Sequence, residues 1–402
     1  MDGKGEAGCE GFEQIKPSLL GAKAPVEPSL EQVAPKAPEG VSMRICFVGE
    51  AISGHIAKWC AWFLSRGHEV HVISFERGEI PGADVRIIDT GVDPDGGDLG
   101  KLRYLLHSGK IRRLVREINP DIVNVHFASS YGTAAALGGI RGHVLSVWGA
   151  DVYDFPRKSF LHRKMLEYAL GKSRVIFSTS RAMAEETAKY TGKKIEVTPF
   201  GVDMDLFSPD KRTRPAGDAS AFVVGTVKTL ADKYGIADLL KAAAIVKERT
   251  EIPIRLRIAG RGPKEAEYRA LAETLGVDGI TEWLGYISQE QAAAEWANMD
   301  VAVIPSTLES ESFGVSAVEA QACGTAVIVS DIPGLLESTE PGKSSEVVPR
   351  NDPEAIAAKM IWFRENGCAA EYGRRGRAFV EERFEINRCF ERIEGLLEEY
   401  VK

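Results

Sequence analysis

The sequence predicts an α/β protein with two doubly wound, Rossmann-like domains that face each other across a cleft. From Met43 onward, short apolar runs rich in β-branched residues alternate with segments of helical period, which is typical of parallel sheets covered by helices. The 402 residues suffice for two cores of common domain size. Near the middle, residues 207–219 carry two prolines and several charges, which indicates a linker.

The elements follow in order along the chain. Seven strands are predicted in a first domain, 43–206, at 44–49, 69–75, 85–88, 121–126, 144–148, 174–179 and 195–198. Five are predicted in a second domain, 220–384, at 222–226, 255–259, 280–284, 301–304 and 326–329. Ligands of such sheets bind at the carboxyl ends of the strands, so the cleft is the expected site.

Residues 1–42 differ from the rest, because prolines are scattered among Ala, Glu, Lys and Gly without a sustained period. This composition predicts a disordered tail. The tail contains a G-x-G-x-x-G match at 3–8, but no strand precedes it and no helix follows it, so we assign it no dinucleotide site. The second domain has no such motif after its first strand, which argues against a dehydrogenase.

Composition narrows the class of protein. A net charge of −8 argues against a nucleic-acid partner. The six cysteines form no C-x-x-C pair, which favours reduced thiols in a cytoplasm. No apolar run is long enough to span a bilayer. We therefore expect a cytoplasmic protein, soluble or peripheral to the inner face of a membrane.

The stretch "ESFGVSAVEAQACGTAVI", residues 311–328, predicts a binding site. A helix that opens near Gly314 leaves its first backbone N–H groups unpaired and its positive dipole end exposed, which favours an anion. Glu311 and Glu319 lie on either side of that turn, and carboxylates do not bind anions. They are better suited to hydroxyl groups, so the pattern predicts an anion that carries a polyhydroxylated group.

Residues 222–356 resemble the donor-binding half of the family 4 glycosyltransferases, which are retaining enzymes of the GT-B fold. The resemblance rests on this stretch and on "GTVKTLADKYGIADLLKA", "RIAGRGPKEAEYRALAETLGV" and "EWLGYISQEQAAAEWANMDVAVIPS". The segments "PDIVNVHF", "SVWGADVY", "FSTSRAMAEE" and "VTPFGVDMDLFSP" are similar to first-half motifs in the family order. The resemblance implies a donor site in the second domain, an acceptor site in the first, and a last helix in 385–402 that crosses back.

The resemblance assigns roles in the donor site. Glu319 would bind the ribose hydroxyls, Glu311 would orient the transferred sugar, and the lysines would stabilise the leaving diphosphate. Thr226 stands where the family usually has arginine, so Lys228 is interpreted as its substitute, beside Lys233; solvated loop charges are the alternative. The other implied donor contacts are Gly260, Arg261, Tyr286 and Ile287 around the base, and the backbone of Phe313, Gly314 and Val315 at the diphosphate.

The first domain is expected to hold the acceptor. His126 ends a predicted strand and matches a family position that contacts the transferred sugar. The predicted catalytic residues are therefore His126 together with Glu311 and Lys233. The alternative for His126 is a histidine that serves only the core. Acceptor contacts are predicted at Gly54, His55, Trp148 and Asp151, although Trp148 replaces the family's histidine. His68 and His71 are interpreted as solvent-edge residues at a strand entry.

We predict neither a metal nor a cofactor. Asp203-Met204-Asp205 and Asp93-Pro94-Asp95 both fit D-x-D, the metal motif of other glycosyltransferases. Matches this short occur by chance, and the first belongs to an interdomain loop of the family without companion ligands.

A basic helix at 99–118 has no acid before Glu117. It suits either contact with anionic lipid or simple solvation, and both remain open.

The resemblance therefore implies a retaining, metal-independent hexosyltransferase that uses a nucleotide-diphosphate sugar, with UDP first among the nucleotides. The acceptor would be a hydroxyl of a lipid-linked, polysaccharide or glycoconjugate precursor. Two alternatives remain: a catalytically silent GT-B partner subunit, and a nucleotide-sugar epimerase or phosphorylase of similar architecture.

Overall fold

The computed structural model describes residues 42–91, 103–215 and 220–401. The predicted tail, except for Ser42, lies outside the described residues, as do linker residues 216–219, residues 99–102 of the basic segment, and the D-x-D match at Asp93 and Asp95. No described helix is both long and apolar enough to cross a membrane.

The first domain is built on a seven-stranded parallel sheet with the order β3-β2-β1-β4-β5-β6-β7. Its strands are β1 (Arg44–Val48), β2 (Glu69–Ser74), β3 (Asp84–Ile87), β4 (Ile122–His126), β5 (Val144–Val147), β6 (Val175–Ser178) and β7 (Ile195–Val197). The helices around it are Gly54–Ser65, Ser108–Ile118, Thr133–Leu137, Ala150–Tyr153, Phe160–Lys172 and Arg181–Ala188. All seven predicted strands are confirmed, with ends that differ by at most one residue.

The second domain has a six-stranded parallel sheet with the order β10-β9-β8-β11-β12-β13. Its strands are β8 (Phe222–Val227), β9 (Ile254–Ala259), β10 (Thr281–Gly285), β11 (Val301–Ile304), β12 (Ala326–Ser330) and β13 (Ser345–Val348). Its helices are Ile236–Arg249, Glu265–Thr274, Gln289–Asn298, Val315–Ala322, Pro333–Glu337, Pro353–Asn366 and Ala369–Phe384. The edge strand β13 was not predicted, because its sequence, SEVV, is half polar.

The strand order of each sheet reverses next to its first strand, between β1 and β4 and between β8 and β11. Such switch points open a crevice at the carboxyl ends of the strands. The four loops that leave these strands begin after Val48, His126, Val227 and Ile304. The predicted site residues in these loops are Lys228, Lys233, Glu311, Phe313 and Gly314. The topology therefore brings the two halves of the site to facing edges.

The chain crosses between the domains twice, and the two crossings lie side by side. The backbone N–H of Val202 donates to the carbonyl of Phe384 at 2.8 Å, and that of Ile386 donates to the carbonyl of Val202 at 3.0 Å. The last helix, Ile386–Val401, then packs its apolar side into the first domain's core, with Cys389, Phe390, Ile393 and Leu397 buried. The predicted return of this helix is therefore confirmed.

The histidines interpreted as solvent-edge residues are buried instead, so that interpretation is wrong. His68 accepts from the backbone N–H of Met43, and its Nε2 lies 2.7 Å from the Glu394 carboxylate on the last helix. His71 bridges Glu69 and Asp84. No local pattern indicates that a helix more than 300 residues away covers His68.

Candidate functional site

The loops after β8 and β11 meet at a buried ion pair. The Lys228 ammonium lies 3.1 Å from Oε1 and 3.0 Å from Oε2 of Glu311. Both side chains are about nine-tenths buried, with 11% and 8% exposed. Thr226, at the position of the family's arginine, is enclosed within β8, and its hydroxyl has no hydrogen-bond partner among the described residues. Lys228 places a cation just beyond this strand, and its interpretation as the substitute for that arginine stays a prediction.

A second cation stands beside this pair. The Lys233 ammonium donates to the Ser310 carbonyl at 3.1 Å. The centre of the Tyr234 ring lies 5.4 Å from the Lys233 ammonium and 4.8 Å from the Lys228 ammonium. Burial lowers the pKa of Lys233; the Glu311 carboxylate opposes this shift and Lys228 adds to it. Lys228 thus pairs with the carboxylate, and the ammonium group of Lys233 lies nearby without pairing with it, which leaves positive charge available to an anionic ligand.

The predicted helix start is confirmed, since the helix runs Val315–Ala322 and Gly314 caps it in the left-handed region, with φ of 77°. A Cβ on Gly314 would lie 2.6 Å from a methyl of Leu335, so glycine is required on both counts. The Phe313 side chain is buried against Phe200 and Phe384 and can offer only its backbone. The unpaired N–H groups at the start of this helix therefore lie next to the loop that carries Glu311.

Glu319 lies inside the same helix and is half-buried, while Ala317, Ala320 and Ala322 are fully buried as expected. The Trp296 indole N–H donates to its Oε2 at 3.4 Å. Burial raises the pKa of Glu319, and Lys58 and the indole partly offset that rise. Among the described residues Oε1 makes no hydrogen bond, so this oxygen is free to accept from a ligand hydroxyl.

Lys58 is a first-domain residue that the sequence reasoning missed. It lies in the helix Gly54–Ser65, and within the described chain it forms neither an ion pair nor a hydrogen bond. Burial lowers its pKa, and the Glu319 carboxylate is the largest opposing influence. A lysine in the helix after the first strand carried no motif that would have singled it out.

The predicted base wall of the pocket is built on glycine. The backbone N–H of Gly260 donates to the Gly285 carbonyl at 2.7 Å, and a Cβ on Gly260 would lie 1.8 Å from the Lys228 carbonyl oxygen. Arg261 and Tyr286 are exposed, Tyr286 by 61%, and Ile287 packs partly against the core. The tight glycine contact fixes the Lys228 loop against the wall.

The first domain presents an aromatic wall. His126 is only 1% exposed, with ring centres 5.5 Å from Phe47, 4.9 Å from Trp59 and 5.2 Å from Trp148. Neither ring nitrogen has a hydrogen-bond partner in the described chain. Burial lowers the pKa of His126 to about 3, so the ring is neutral at neutral pH. Trp148 lies against it, and sugar contact by His126 stays a prediction that requires a change in this packing.

His55 extends the same wall. Its ring stacks on Phe200, with centres 4.1 Å apart, and meets Trp148 edge-on at 5.5 Å. Burial, and then the nearby lysines Lys58 and Lys228, lower the pKa of His55 to about 3. Gly54, the first residue of its helix, has open space where a Cβ would stand, so acceptor contact there stays a prediction.

Asp151 is placed differently from its prediction. Its carboxylate is fully buried and accepts from the backbone N–H groups of Ala128 at 2.8 Å, Trp148 at 3.1 Å and Gly149 at 2.9 Å. Burial raises the pKa of Asp151, and these hydrogen bonds counteract the rise. Direct contact with an acceptor does not fit this burial: Asp151 holds the loop after β5 in shape.

The two walls touch at the loop that carries Glu311. The Ser312 hydroxyl donates to the Trp148 carbonyl at 2.8 Å, and the Ser180 hydroxyl donates to the Ser312 carbonyl at 2.6 Å. A Cβ on Gly149 would lie 2.7 Å from the Ser310 carbonyl oxygen. The first domain thus holds the residues on both sides of Glu311.

Glu337 makes a second interdomain contact. Its carboxylate accepts from the backbone N–H of Arg181 at 2.8 and 2.9 Å and from that of Ala182 at 3.1 Å, at the start of the helix Arg181–Ala188. A carboxylate at a helix N-terminus is favoured by the unpaired N–H groups and the dipole. We call the contacts of Ser180, Ser312 and Glu337 the interdomain clamp. These residues were missed in the sequence analysis because contacts between separate domains leave no local sequence pattern.

The D-x-D match at Asp203 has a structural use. Its Oδ1 accepts from the backbone N–H groups of Asp205 at 3.0 Å and Leu206 at 2.9 Å, which closes a turn. Within the described ranges, no three His, Cys, Asp or Glu side chains form a group that could hold a metal ion.

Two family models match the chain. One, described as glycosyl transferases group 1, matches residues 209–378, and the other, described as glycosyl transferase 4-like, matches residues 44–180. A D-inositol 3-phosphate glycosyltransferase of Corynebacterium urealyticum is 35% identical over 276 residues, which cover 65% of this chain and 61% of that protein. A protein of Escherichia coli K12, provisionally named the colanic acid biosynthesis glycosyltransferase WcaL, is 28% identical over 278 residues, 65% of this chain and 66% of its own length. Each alignment thus spans less than two thirds of the relative.

Among solved structures, HepE of Anabaena in complex with UDP and glucose superposes with a TM-score of 0.72 at 19% identity, covering 89% of this chain and 99% of that chain. At this identity the likeness concerns the fold, which is GT-B.

Proposed function

Because the chain belongs to the group 1, family 4-like glycosyltransferases, we propose that it transfers a hexose-type sugar from a nucleotide-diphosphate donor to an acceptor hydroxyl. The observation that carries this proposal is the Lys228–Glu311 pair beside the helix that begins after Gly314. It combines groups for a leaving diphosphate with a carboxylate for sugar hydroxyls.

The diphosphate would lie between the lysines and the start of the helix Val315–Ala322. As the sugar leaves, negative charge grows on the phosphate oxygen, and fixed donors stabilise it without rearrangement. Lys228 and Lys233 supply cations, and the first turn of the helix supplies N–H groups. In this proposal the lysines do the work of a divalent cation, so turnover needs no metal.

The nucleoside would lie toward Glu319 and the glycine wall. The free Oε1 of Glu319 would accept from a ribose hydroxyl, and the exposed ring of Tyr286 offers a face for the base. UDP is the proposed nucleotide, supported by the UDP found in the Anabaena neighbour.

The transfer would retain the anomeric configuration. The acceptor oxygen forms its bond to the anomeric carbon on the face from which the diphosphate departs, and its proton passes to an oxygen of the leaving phosphate. Both carboxylate oxygens of Glu311 are bound by the Lys228 ammonium, which suits orientation of the sugar better than nucleophilic attack. A retaining two-carboxylate mechanism needs a partner carboxylate about 5–5.5 Å away. The proposal therefore assigns Glu311 to orientation of the sugar and invokes no second carboxylate.

The acceptor would enter along the first domain, as a lipid-linked, polysaccharide or glycoconjugate precursor. In the described part of the basic segment, Ile111 and Ile118 are buried and the arginine side of the helix Ser108–Ile118 is exposed. Peripheral contact of this helix with an anionic inner membrane surface is proposed on that charge.

The first experiment measures thermal stability and donor hydrolysis with UDP-, GDP- and ADP-sugars, with and without EDTA. We expect one nucleotide class, UDP, to raise the melting temperature in the presence of EDTA. Glu319→Gln should weaken this shift, because it removes the charge that accepts from ribose, whereas Glu273→Gln on the exposed surface of the same domain should not.

Failure of every nucleotide sugar to stabilise the protein would overturn the proposal and favour a silent partner subunit. Donor binding without transfer to any hydroxyl, or with phosphate as the only acceptor, would favour an epimerase or a phosphorylase. A shift that EDTA abolishes would contradict metal independence alone.

A further inference from the structure

The helix Phe160–Lys172 carries a row of aromatic and lysine side chains on its outer side. Phe160 and Tyr168 are 75% and 40% exposed. The Lys164 ammonium lies 5.4 Å from the centre of the Phe160 ring, and the Lys172 ammonium lies 5.0 Å from that of Tyr168. Successive members are four residues apart, so they share one side of the helix. We call Phe160, Lys164, Tyr168 and Lys172 the aromatic–lysine row.

The row is not part of the core, because the other side of the helix buries Leu166, Ala169 and Leu170. Further apolar surface lies around it. Leu161 is 66% exposed beside Phe160, and Leu137 is 49% exposed on the neighbouring helix Thr133–Leu137. The two helices are tied where the Tyr168 hydroxyl meets the Ala136 carbonyl at 3.5 Å. Apolar side chains exposed together mark an interaction surface more often than isolated ones do.

The surface around the row is basic. The helix Ser108–Ile118 packs on Thr133–Leu137, which packs on Phe160–Lys172. Segments 108–118 and 158–172 contain eight Lys or Arg and two Glu, whereas the whole chain has 50 basic and 58 acidic residues. The positive charge is therefore concentrated on this side, and it fits an anionic partner.

We propose that this surface, centred on the aromatic–lysine row, docks on the anionic headgroups of a lipid bilayer. Aromatic rings and leucines suit the boundary between headgroups and acyl chains, while lysine stems extend so that their ammonium groups reach lipid phosphates. Each basic side chain adds attraction to an anionic leaflet. A folded acidic partner would match the charge, but it gives no reason for protruding Phe160 and Leu161.

The docked surface adjoins the cleft. Arg157, three residues before Phe160, contacts the carboxylate of Glu309 at 3.3 Å across the domain boundary, and Glu309 is two residues from Glu311. A bilayer held by the row would therefore lie beside the edge of the candidate site. This inference deepens the proposed function by naming the source of a lipid-linked acceptor, and rests on it for that step only.

The test is co-sedimentation of the full chain with vesicles of phosphatidylcholine alone or with added phosphatidylglycerol, in the absence of donor. We expect binding to the anionic vesicles only. Phe160→Ser with Leu161→Ser removes the apolar tips, and Lys164→Glu with Lys172→Glu reverses the charge. Each pair should reduce partitioning at least about tenfold.

The matched control reverses two exposed arginines of the second domain, Arg374→Glu with Arg375→Glu, and should bind like the wild type. Thermal unfolding and UDP-sugar binding in buffer show that each variant is folded and separate a failure here from a failure of the proposed function. Absent binding, or equal loss in the control, would overturn the inference. So would a wild-type dimer that Phe160→Ser with Leu161→Ser dissociates, because the face would then be a contact between copies.

Discussion

The two walls of the cleft differ in how they are built. The second-domain wall holds charge in fixed positions, with Lys228 bound to both oxygens of Glu311 and Lys233 beside them. The wall around His126 is aromatic, and its two histidines are neutral because burial holds the pKa of each near 3. The paired charges therefore lie where a diphosphate would leave, and the opposite wall, apart from Lys58, offers aromatic surface.

This difference predicts which substitutions should change turnover and which should change stability or affinity. A fixed charge acts on charge that develops in the transition state, so its loss should reduce turnover directly. An aromatic wall acts through packing and exclusion of water, so its changes should first affect stability and affinity. Substitutions on the two walls can test this division.

The largest effect is expected for Glu311→Gln. The amide keeps the shape but removes the charge that is proposed to orient the sugar, and it leaves the buried Lys228 ammonium without its carboxylate. We expect kcat for transfer to fall by about 10²-fold or more, in steady-state kinetics with the donor that the thermal-stability screen identifies. Glu309→Gln, two residues away and half exposed, serves as the matched control and should retain most activity. An unchanged kcat in Glu311→Gln would remove the distinction between the walls.

A smaller effect is expected at the interdomain clamp. Glu337→Ala removes the carboxylate that accepts from Arg181 and Ala182, so the closed arrangement loses charge-assisted hydrogen bonds. We expect kcat/KM for the donor to fall roughly tenfold while the Lys228–Glu311 pair stays intact. Small-angle scattering of the donor-free variant should show a larger radius of gyration than the wild type.

Glu340→Ala, three residues away on the same domain, controls for loss of a nearby carboxylate and should leave both quantities unchanged. If Glu337→Ala keeps the wild-type radius and kcat/KM, the clamp does not set the distance between the walls. The charged wall would then work independently of the aromatic one.

The same contrast explains how far the sequence could predict the molecule. Strands buried on both faces, such as β5 and β12, can be predicted from their apolar runs. The partly exposed strands β3 and β7 were also predicted, whereas β13, with its half-polar sequence, was missed. Glu311, Glu319 and Gly314 belong to one local turn and helix, so their spacing survives folding unchanged. The residues of the second-domain wall could be predicted because they belong to short, contiguous motifs.

The arrangement of the aromatic wall could not be predicted in this way. His126 is enclosed by Phe47, Trp59 and Trp148, which come from three separate segments. Asp151 is buried under backbone N–H groups of two loops, which composition cannot reveal. Tertiary contacts decide whether a polar residue at a strand end faces a ligand or the core, and these contacts cannot be inferred from one sequence.

The smallest expected effect concerns His126→Phe. Phenylalanine fills the aromatic site without ring nitrogens that lack partners, so the variant should unfold at neutral pH with equal or greater free energy. The pH dependence is the sharper readout. Burial, and then His55, lower the pKa of His126 to about 3, from an ordinary value of 6.5. As pH falls below 6.5 the unfolded chain takes up this proton and the folded chain does not, so the stabilisation is complete above that pH and is lost toward pH 3.

Denaturant unfolding at pH 7 and pH 5.5 measures this loss. The difference between the two free energies should be smaller in His126→Phe than in the wild type by about 1 kcal/mol, because the substituted ring cannot take up a proton in either state. His55 and His143, whose pKa values burial also lowers, continue to contribute equally in both proteins. An unchanged difference would mean that His126 is protonated in the folded chain. If His126→Phe instead reduced kcat as far as Glu311→Gln does, the aromatic wall would take part in the chemistry, and the sugar contact predicted for His126 would require Trp148 to move aside during turnover.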